Sequence, residues 1–148
     1  MAGDNFVIMD GMKVGFKPGE TIVEAARRSG IHIPTLCHLP GAEATGACRV
    51  CVVEVKGARN LVASCAAPAS PGMEISTCSE RVFKARRLYI ELLLASGHHY
   101  CATCEASGDC RLQELAYEYR VEAVRFPESP ARYPLEENDL ILRDFSRC

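Results

Sequence analysis

The chain lacks the features that mark secreted, membrane-spanning or nucleotide-binding proteins. Its 148 residues contain no tryptophan, and aromatic residues make up only 7% of them. No hydrophobic run approaches the length of a membrane span, and the N-terminus has neither the basic start nor the apolar core of a secretory signal. Neither a G-x-G-x-x-G nor a P-loop pattern is present. These absences predict a cytoplasmic protein without direct membrane insertion.

Charge is also nearly balanced, and cysteine is the exception to an ordinary composition. A formal net charge of −2 gives no reason to expect nucleic acid as a partner. Nine cysteines are many for a chain without a secretory signal, and their odd number also argues against a disulfide framework. Metal ligation in a reducing compartment is the better interpretation.

The first half of the chain has the pattern of a small α+β sheet. Asp10-Gly11 separates two short β-type runs, as in a hairpin turn. Thr21 and Glu24 form a capping-box pattern at the start of a predicted helix that Gly30 can end. Three β-branched runs follow, in "CVVEVKG", "NLVAS" and "MEISTC".

The pattern becomes helical near residue 78. Thr77 and Glu80 form a second capping-box pattern. Two runs then show helical spacing: Val82, Ala85, Leu88, Tyr89 and Leu92, and later Leu112, Leu115, Ala116 and Tyr119. We therefore predict an α+β domain at residues 1–78, a helical domain at 79–125 and an extended tail at 126–148.

Four of the cysteines form a first group, Cys37, Cys48, Cys51 and Cys65, with the spacing C-x10-C-x2-C-x13-C. The stretch "GAEATGACRVC" is rich in small residues, which let backbone N–H groups point at sulfur, as an anionic iron–sulfur cluster requires. Zinc sites usually combine two C-x2-C knuckles, and here there is one. Chemistry alone favours an iron–sulfur cluster, with a structural zinc site as the alternative.

A second group lies in "SGHHYCATCEASGDC", where Cys101, Cys104 and Cys110 follow His98 and His99. Three thiolates leave one ligand position open in a four-ligand site. A neutral imidazole can fill it, because histidine binds both iron and zinc.

Both groups resemble a known family. "TLCHLPGAEATGACRVCVVEV" and "SCAAP" resemble the 2Fe–2S ferredoxin module with a β-grasp fold, and "CATCEASGDCRLQEL" resembles a 4Fe–4S module with one histidine and three cysteines. The two modules occur together in the large iron–sulfur subunit of complex I, in iron-only hydrogenases, in NAD-linked formate dehydrogenases and in the diaphorase small subunit of NAD-reducing hydrogenase.

The resemblance implies the ligands of both clusters. Cys37, Cys48, Cys51 and Cys65 would hold the 2Fe–2S cluster, whereas Cys78 matches no ligand. The 4Fe–4S cluster would be held by His99, Cys101, Cys104 and Cys110. The complex I pattern places its histidine at the position of Gly97, but the shorter H-x-C form of the diaphorase subunit matches His99, with His98 as the alternative.

The resemblance also implies a function. We expect an electron-transfer component without a substrate-transforming site, which relays single electrons between a flavin-bearing NAD(P)H-oxidising subunit and a hydrogenase, formate dehydrogenase or quinone-reducing partner. The alternatives are a zinc-stabilised interaction module and a free-standing ferredoxin. Cys148 stands where longer family members enter a further ferredoxin-type domain, so the chain is expected to be either a fragment ending there or a naturally short subunit whose tail docks on a neighbour.

Overall fold

We analysed a computed structural model of the chain, which describes residues 5–127 and 135–144. Two compact units are present, Met1–Tyr89 and Ile90–Cys148. The boundary between these units does not test the predicted domain limits, which stay a prediction.

The first unit begins with the predicted hairpin. Strand β1 (Phe6–Met9) pairs antiparallel with β2 (Met12–Gly15). Both turn residues have the positive φ that this hairpin requires, 48° at Asp10 and 82° at Gly11.

Helix α1 (Ile22–Arg28) follows, and its capping box is complete. The hydroxyl of Thr21 accepts a hydrogen bond from the backbone N–H of Glu24, and the Glu24 carboxylate accepts one from the Thr21 N–H at 2.8 Å. These bonds satisfy N–H groups that a helix start leaves without partners.

Three further strands, β3 (Val52–Val55), β4 (Val62–Ala63) and β5 (Glu74–Ser76), complete a sheet of order β2-β1-β5-β3-β4. Strand β5 runs parallel to β1 and antiparallel to β3. The sheet and α1 enclose a core that includes Val7, Met9, Ile22, Val23, Val53, Ile75 and two of the predicted ligands, Cys51 and Cys65. The mixed sheet with one helix confirms the predicted α+β class.

Helix α2 (Glu80–Ala95) starts differently from the prediction. The side chain of Ser79, not Thr77, accepts the hydrogen bond from the backbone N–H of Val82, at 3.2 Å. Thr77 instead donates from its backbone N–H and its hydroxyl to the carboxylate of Asp10. Because its hydroxyl is bonded to Asp10, Thr77 does not cap the helix.

The face that α2 buries also differs from the predicted one. Val82 is buried as expected, but Leu88 and Leu92 are 38% and 42% exposed. Arg86 is 4% exposed instead, because its guanidinium donates two hydrogen bonds, of 3.2 and 2.8 Å, to the carbonyl of Val52. A charged side chain can therefore occupy an inward position of this helix.

The second unit contains the end of α2, a short 3-10 turn (Cys101–Thr103), α3 (Arg111–Glu118) and a hairpin of β6 (Leu135–Glu137) and β7 (Leu142–Asp144). Along α3, Leu112, Leu115 and Tyr119 are buried, as the helical spacing predicts. This hairpin lies within the predicted tail, whose extended form stays a prediction. Cys148, where the predicted fragment ends, lies outside the described residues.

Among residues 5–127 and 135–144, no helix is both long and apolar enough to cross a membrane.

Candidate metal centres

The first cysteine group converges at one end of the sheet as two pairs. The Sγ atoms of Cys51 and Cys65 lie 3.3 Å apart, which is too far for a disulfide and close enough for contact. Cys37 forms the other pair with Cys48, whose backbone N–H lies 3.5 Å from the Cys37 Sγ atom. Cys51 and Cys65 are buried, Cys48 is half-buried and Cys37 is exposed.

The loop between Cys37 and Cys48 packs against the Cys65 segment at Gly46. Gly46 is buried and has a φ of +61°, in the region that favours glycine. A Cβ atom at this position would lie 3.6 Å from the Cβ of Ala66 and 3.8 Å from that of Ala63. The loop thus packs against residues on both sides of Cys65, which brings the two cysteine pairs together.

Local hydrogen bonds make the Cys37 thiol more acidic than an ordinary cysteine. Burial acts in the opposite direction, but hydrogen bonds from Cys48, from the Thr45 hydroxyl and from the Ala47 N–H lower the pKa of the Cys37 thiol below its ordinary value. Backbone N–H groups therefore point at a cysteine sulfur, as the small residues of this loop predict.

The thiols of Cys48 and Cys65 have the opposite tendency. Burial raises the pKa of Cys48, and burial together with the neighbouring Cys51 thiol raises the pKa of Cys65 to about 12. Thiolates packed this closely repel one another unless a cation lies between them. The raised pKa values favour protonated thiols, and a metal ion reverses this preference because a coordinating thiol is deprotonated. The group is thus suited to positively charged metal and poorly suited to remaining empty as four thiolates.

Three hydrogen bonds that the sequence does not indicate hold the Cys51 and Cys65 segments in place. Ser64 is fully buried, and its hydroxyl donates a 2.7 Å hydrogen bond to the carbonyl of Cys51. The N-terminus of α1 contributes as well, since the N–H groups of Ile22 and Val23 donate to the carbonyls of Ala67 and Ser64. No sequence signal marks Ser64, because serine beside cysteine is common in loops of any kind.

Part of the second group lines a cavity of about 470 Å³ within the second unit. Three of the predicted ligands, His99, Cys101 and Cys110, line it, together with Leu94, Leu112 and residues 121–124 and 126. The 3-10 turn supplies Cys101, and Cys110 is the residue that precedes α3. Cys104 follows the 3-10 turn and is half-buried, but it does not line the cavity.

The two adjacent histidines have different environments. The Nε2 atom of His99 lies 3.2 Å from the carbonyl oxygen of Leu93, near the end of α2. A proton on Nε2 satisfies this contact and leaves the Nδ1 lone pair for a metal, an arrangement typical of ligating histidines. His98 is exposed and stacks on Tyr100, with ring centroids 6.1 Å apart.

Neither group has the geometry of a single-ion site. Among residues 5–127 and 135–144, no three His, Cys, Asp or Glu side chains lie close enough together to hold one metal ion. A structural zinc ion needs four such ligands around one point. A four-cysteine 2Fe–2S cluster takes two thiolates per iron, so the paired sulfurs of the first group suit it better.

Comparison with known proteins agrees with this chemistry. Residues 7–80 match the model of the 2Fe-2S iron-sulfur cluster binding domain. The chain belongs to this family. Residues 86–125 match the NADH-ubiquinone oxidoreductase-G iron-sulfur binding region. The two matches confirm the predicted pair of cofactors, one 2Fe–2S cluster and one 4Fe–4S cluster.

Similar proteins of this family come from several enzymes. The chain is 40% identical over 154 residues to the NADP-reducing hydrogenase subunit HndD of Solidesulfovibrio fructosivorans, and 35% identical over 143 residues to the gamma subunit of NAD-reducing hydrogenase HoxS of Cupriavidus necator. It is 36% identical over 145 residues to the mitochondrial 78 kDa subunit of NADH-ubiquinone oxidoreductase of Candida albicans.

Each of these alignments covers 96% of the chain, but the chain spans only 25%, 60% and 20% of the three relatives in turn.

A solved structure is similar as well. A chain in the crystal structure of NAD+-reducing NiFe hydrogenase in the H2-reduced state superimposes with a TM-score of 0.80 at 43% identity, covering 88% of this chain and 55% of that chain. The family matches, the relatives and this structure confirm the predicted resemblance and fold. They favour iron–sulfur electron transfer over the zinc-stabilised module. The residues that ligate each cluster remain a prediction.

Proposed function

We propose that this chain is an electron-transfer component of a multisubunit NAD(P)-linked oxidoreductase, relaying single electrons between a flavin-bearing NAD(P)H-oxidising subunit and a catalytic hydrogenase or dehydrogenase subunit. The observation that carries the proposal is the gathering of the predicted ligands into two separate groups, one in each compact unit. When bound, each cluster accepts and releases one electron at a time. The substrate chemistry belongs to the partners.

In the first unit, Cys37 and Cys48 would hold one iron of the 2Fe–2S cluster, and Cys51 and Cys65 the other. The proposal is supported by the contact between the Cys51 and Cys65 sulfurs and by the hydrogen bond from Cys48 to Cys37. The N–H groups that point at Cys37 favour its thiolate. Burial of Cys51 and Cys65 in the apolar core limits the access of water to their side of the cluster.

In the second unit, His99, Cys101, Cys104 and Cys110 would hold the 4Fe–4S cluster, one ligand per iron. Support comes from the cavity that His99, Cys101 and Cys110 line. His99 is preferred to His98 because its Nε2 atom is held by the carbonyl of Leu93 and because it lines the cavity. A cytoplasmic location, where cysteines stay reduced, is part of the proposal.

The proposal is tested first by the metal content of the full chain purified without oxygen. We expect about six iron atoms and about six acid-labile sulfides per chain and little zinc, because the chain would carry one cluster of each type. Electron paramagnetic resonance (EPR) of the reduced protein should resolve two signals. A colourless protein that contains zinc and no iron would contradict the proposal and favour the zinc-stabilised module.

Partnership is tested separately. The chain should co-purify with a flavin-bearing NAD(P)H-oxidising subunit and, once bound, should be reduced by NAD(P)H. The isolated chain should not be reduced by NAD(P)H without that subunit. A chain that carries both clusters but elutes alone in gel filtration beside such partners would favour a free-standing ferredoxin.

A further inference from the structure

A buried carboxylate in the second unit has partners that our account of the ligands does not use. The side chain of Glu91, on α2, is 2% exposed. Arg125 donates to it from its backbone N–H at 2.7 Å and from its guanidinium at 2.9, 3.1 and 2.7 Å. The guanidinium contacts both carboxylate oxygens, a bidentate geometry that fixes orientation as well as distance.

Arg125 lies within residues 121–126, a stretch that borders the cavity in the second unit. Its neighbours at positions 121–124 and 126 line the cavity that His99, Cys101 and Cys110 also line. Residues 121–126 contain no helix or strand, and the stretch is joined to α3 at its start, where the backbone N–H of Val121 donates to the carbonyl of Ala116. The contacts between Arg125 and Glu91 also fasten it to α2.

The burial of Glu91 explains why its ion pair with Arg125 forms. Glu91 carries its charge away from water, and such a charge is tolerated only where a partner of opposite charge and good hydrogen bonds replace the lost water. Arg125 is itself 71% exposed, so its position is not determined by burial. The carboxylate thus sets where Arg125 lies, and Arg125 sets where the cavity wall lies.

We propose that Glu91 is a positioning residue for the 4Fe–4S cluster, which through Arg125 fixes residues 121–126 as the wall of the cluster cavity and limits the access of water to the cluster. This inference depends on the proposed placement of that cluster in the second unit. The 2Fe–2S cluster of the same chain, whose predicted ligands lie in the other unit, serves as an internal reference.

The test uses the full chain, loaded with both clusters without oxygen, in the variants Glu91→Gln and Arg125→Gln. A matched control is Glu80→Gln, which breaks the ion pair of Glu80 with Lys84 on the same helix. The side chains of Glu80 and Lys84 are 81% and 73% exposed. The measurements are the EPR signal of each cluster, the reduction potential of each cluster and the rate at which a chelator removes its iron.

We expect the 4Fe–4S cluster of both test variants to lose iron about 10-fold faster than in the parent chain, in the range found when groups that support metal ligands are removed. Its EPR line shape or potential should change, while the 2Fe–2S signal and potential stay constant. Combining Glu91→Gln with Arg125→Gln should add little to the larger single effect, because both variants break one interaction. Arg125→Lys should restore part of the protection.

Three results would overturn the inference. The first is an unchanged 4Fe–4S cluster in both variants. The second is an equal loss of both clusters, which would mean that the pair supports folding of the whole chain. The third is an effect of Glu80→Gln as large as that of Glu91→Gln. If the parent chain itself contains only a 2Fe–2S cluster, the proposed function fails and this inference fails with it.

Discussion

At the scale of single residues, the two nitrogens of the His99 ring have different tasks. Nε2 lies 3.2 Å from the Leu93 carbonyl, and this contact orients the ring toward the cavity. If Nδ1 then binds iron, the second cluster has one neutral ligand among three thiolates. Compared with a cluster held by four thiolates, such a cluster has one negative charge fewer. This stabilises the reduced state, which is the more negative one, so the reduction potential is higher.

The substitution His99→Cys should therefore lower the reduction potential of the 4Fe–4S cluster, because it replaces a neutral ligand by an anionic one. A redox titration followed by EPR measures the change. The matched control is His98→Cys, since His98 is exposed and stacks on Tyr100. An unchanged or raised potential in the His99 variant, or a lowered potential in the His98 variant alone, would contradict the choice of His99.

At the scale of elements, the start of α1 supports the first cysteine group. The capping box orients the first turn, and the N–H groups of Ile22 and Val23 then donate to the carbonyls of Ala67 and Ser64. These two carbonyls lie on either side of Cys65. A helix terminus thus fixes the backbone around a predicted ligand.

Removal of this cap should affect both stability and the first cluster. Thr21→Ala should lower the free energy of unfolding by about 1 kcal/mol, the usual cost of losing an N-cap side chain. It should also make the 2Fe–2S cluster release iron faster, because the Cys65 segment loses part of its support. Chemical denaturation and chelator assays measure the two effects.

A second N-cap on the same chain provides the comparison. Ser79→Ala removes the cap of α2 and also the 2.7 Å hydrogen bond that the Ser79 hydroxyl donates to the Glu54 carboxylate, so its cost should be at least as large. The described hydrogen bonds of Ser79 end at Glu54, Val82 and Phe83 and at no predicted ligand, so the 2Fe–2S cluster should be unaffected. Equal lability of the cluster in both variants would mean that stability alone, and not the support of Cys65, determines iron release.

Sequence reasoning succeeds for elements whose signals are local and fails where distant residues decide. The Asp10-Gly11 turn and the Thr21–Glu24 box need only neighbours in sequence, and both form as predicted. Thr77 has the same local pattern as Thr21, but Asp10 takes its hydrogen bonds. The inward position of Arg86 likewise depends on a carbonyl 34 residues away, which no periodicity reveals.

The sites follow the same division. The cysteine spacings indicated both groups, because iron–sulfur sites use cysteines at characteristic spacings along the chain. The residues that support the ligands have no such pattern. Nothing in the sequence distinguishes Ser64, Glu91 or Arg125 from other polar residues. Only the fold brings Ser64 to the carbonyl of Cys51, and only the fold pairs Glu91 with Arg125 beside the cavity in the second unit.

At the scale of the whole molecule, each compact unit contains one complete predicted ligand set. Cys37, Cys48, Cys51 and Cys65 lie in Met1–Tyr89, and the four predicted ligands of the second cluster lie in Ile90–Cys148. The first unit also has its own apolar core around the sheet. Each cluster should therefore form without the other, although one chain carries both.

This independence can be tested with one substitution in each unit. Cys65→Ser should abolish the 2Fe–2S signal and leave the 4Fe–4S signal, whereas Cys110→Ser should do the reverse. A serine oxygen is a poorer ligand for cluster iron than a thiolate, so each change should leave its own cluster incomplete. EPR of the reduced protein and iron counts of about four and about two per chain would record the expected results.

The chain offers its own control in Cys78, which matches no ligand. Cys78 is exposed, and its Sγ atom lies 3.9 Å from a carboxylate oxygen of Asp10. Cys78→Ser should leave both signals intact. Loss of both clusters in either ligand variant would show instead that the units assemble cooperatively, and loss of a cluster in the Cys78 variant would mean that the assigned ligand sets are wrong. Because the three substitutions are chemically identical, differences among them report only the positions of the thiols.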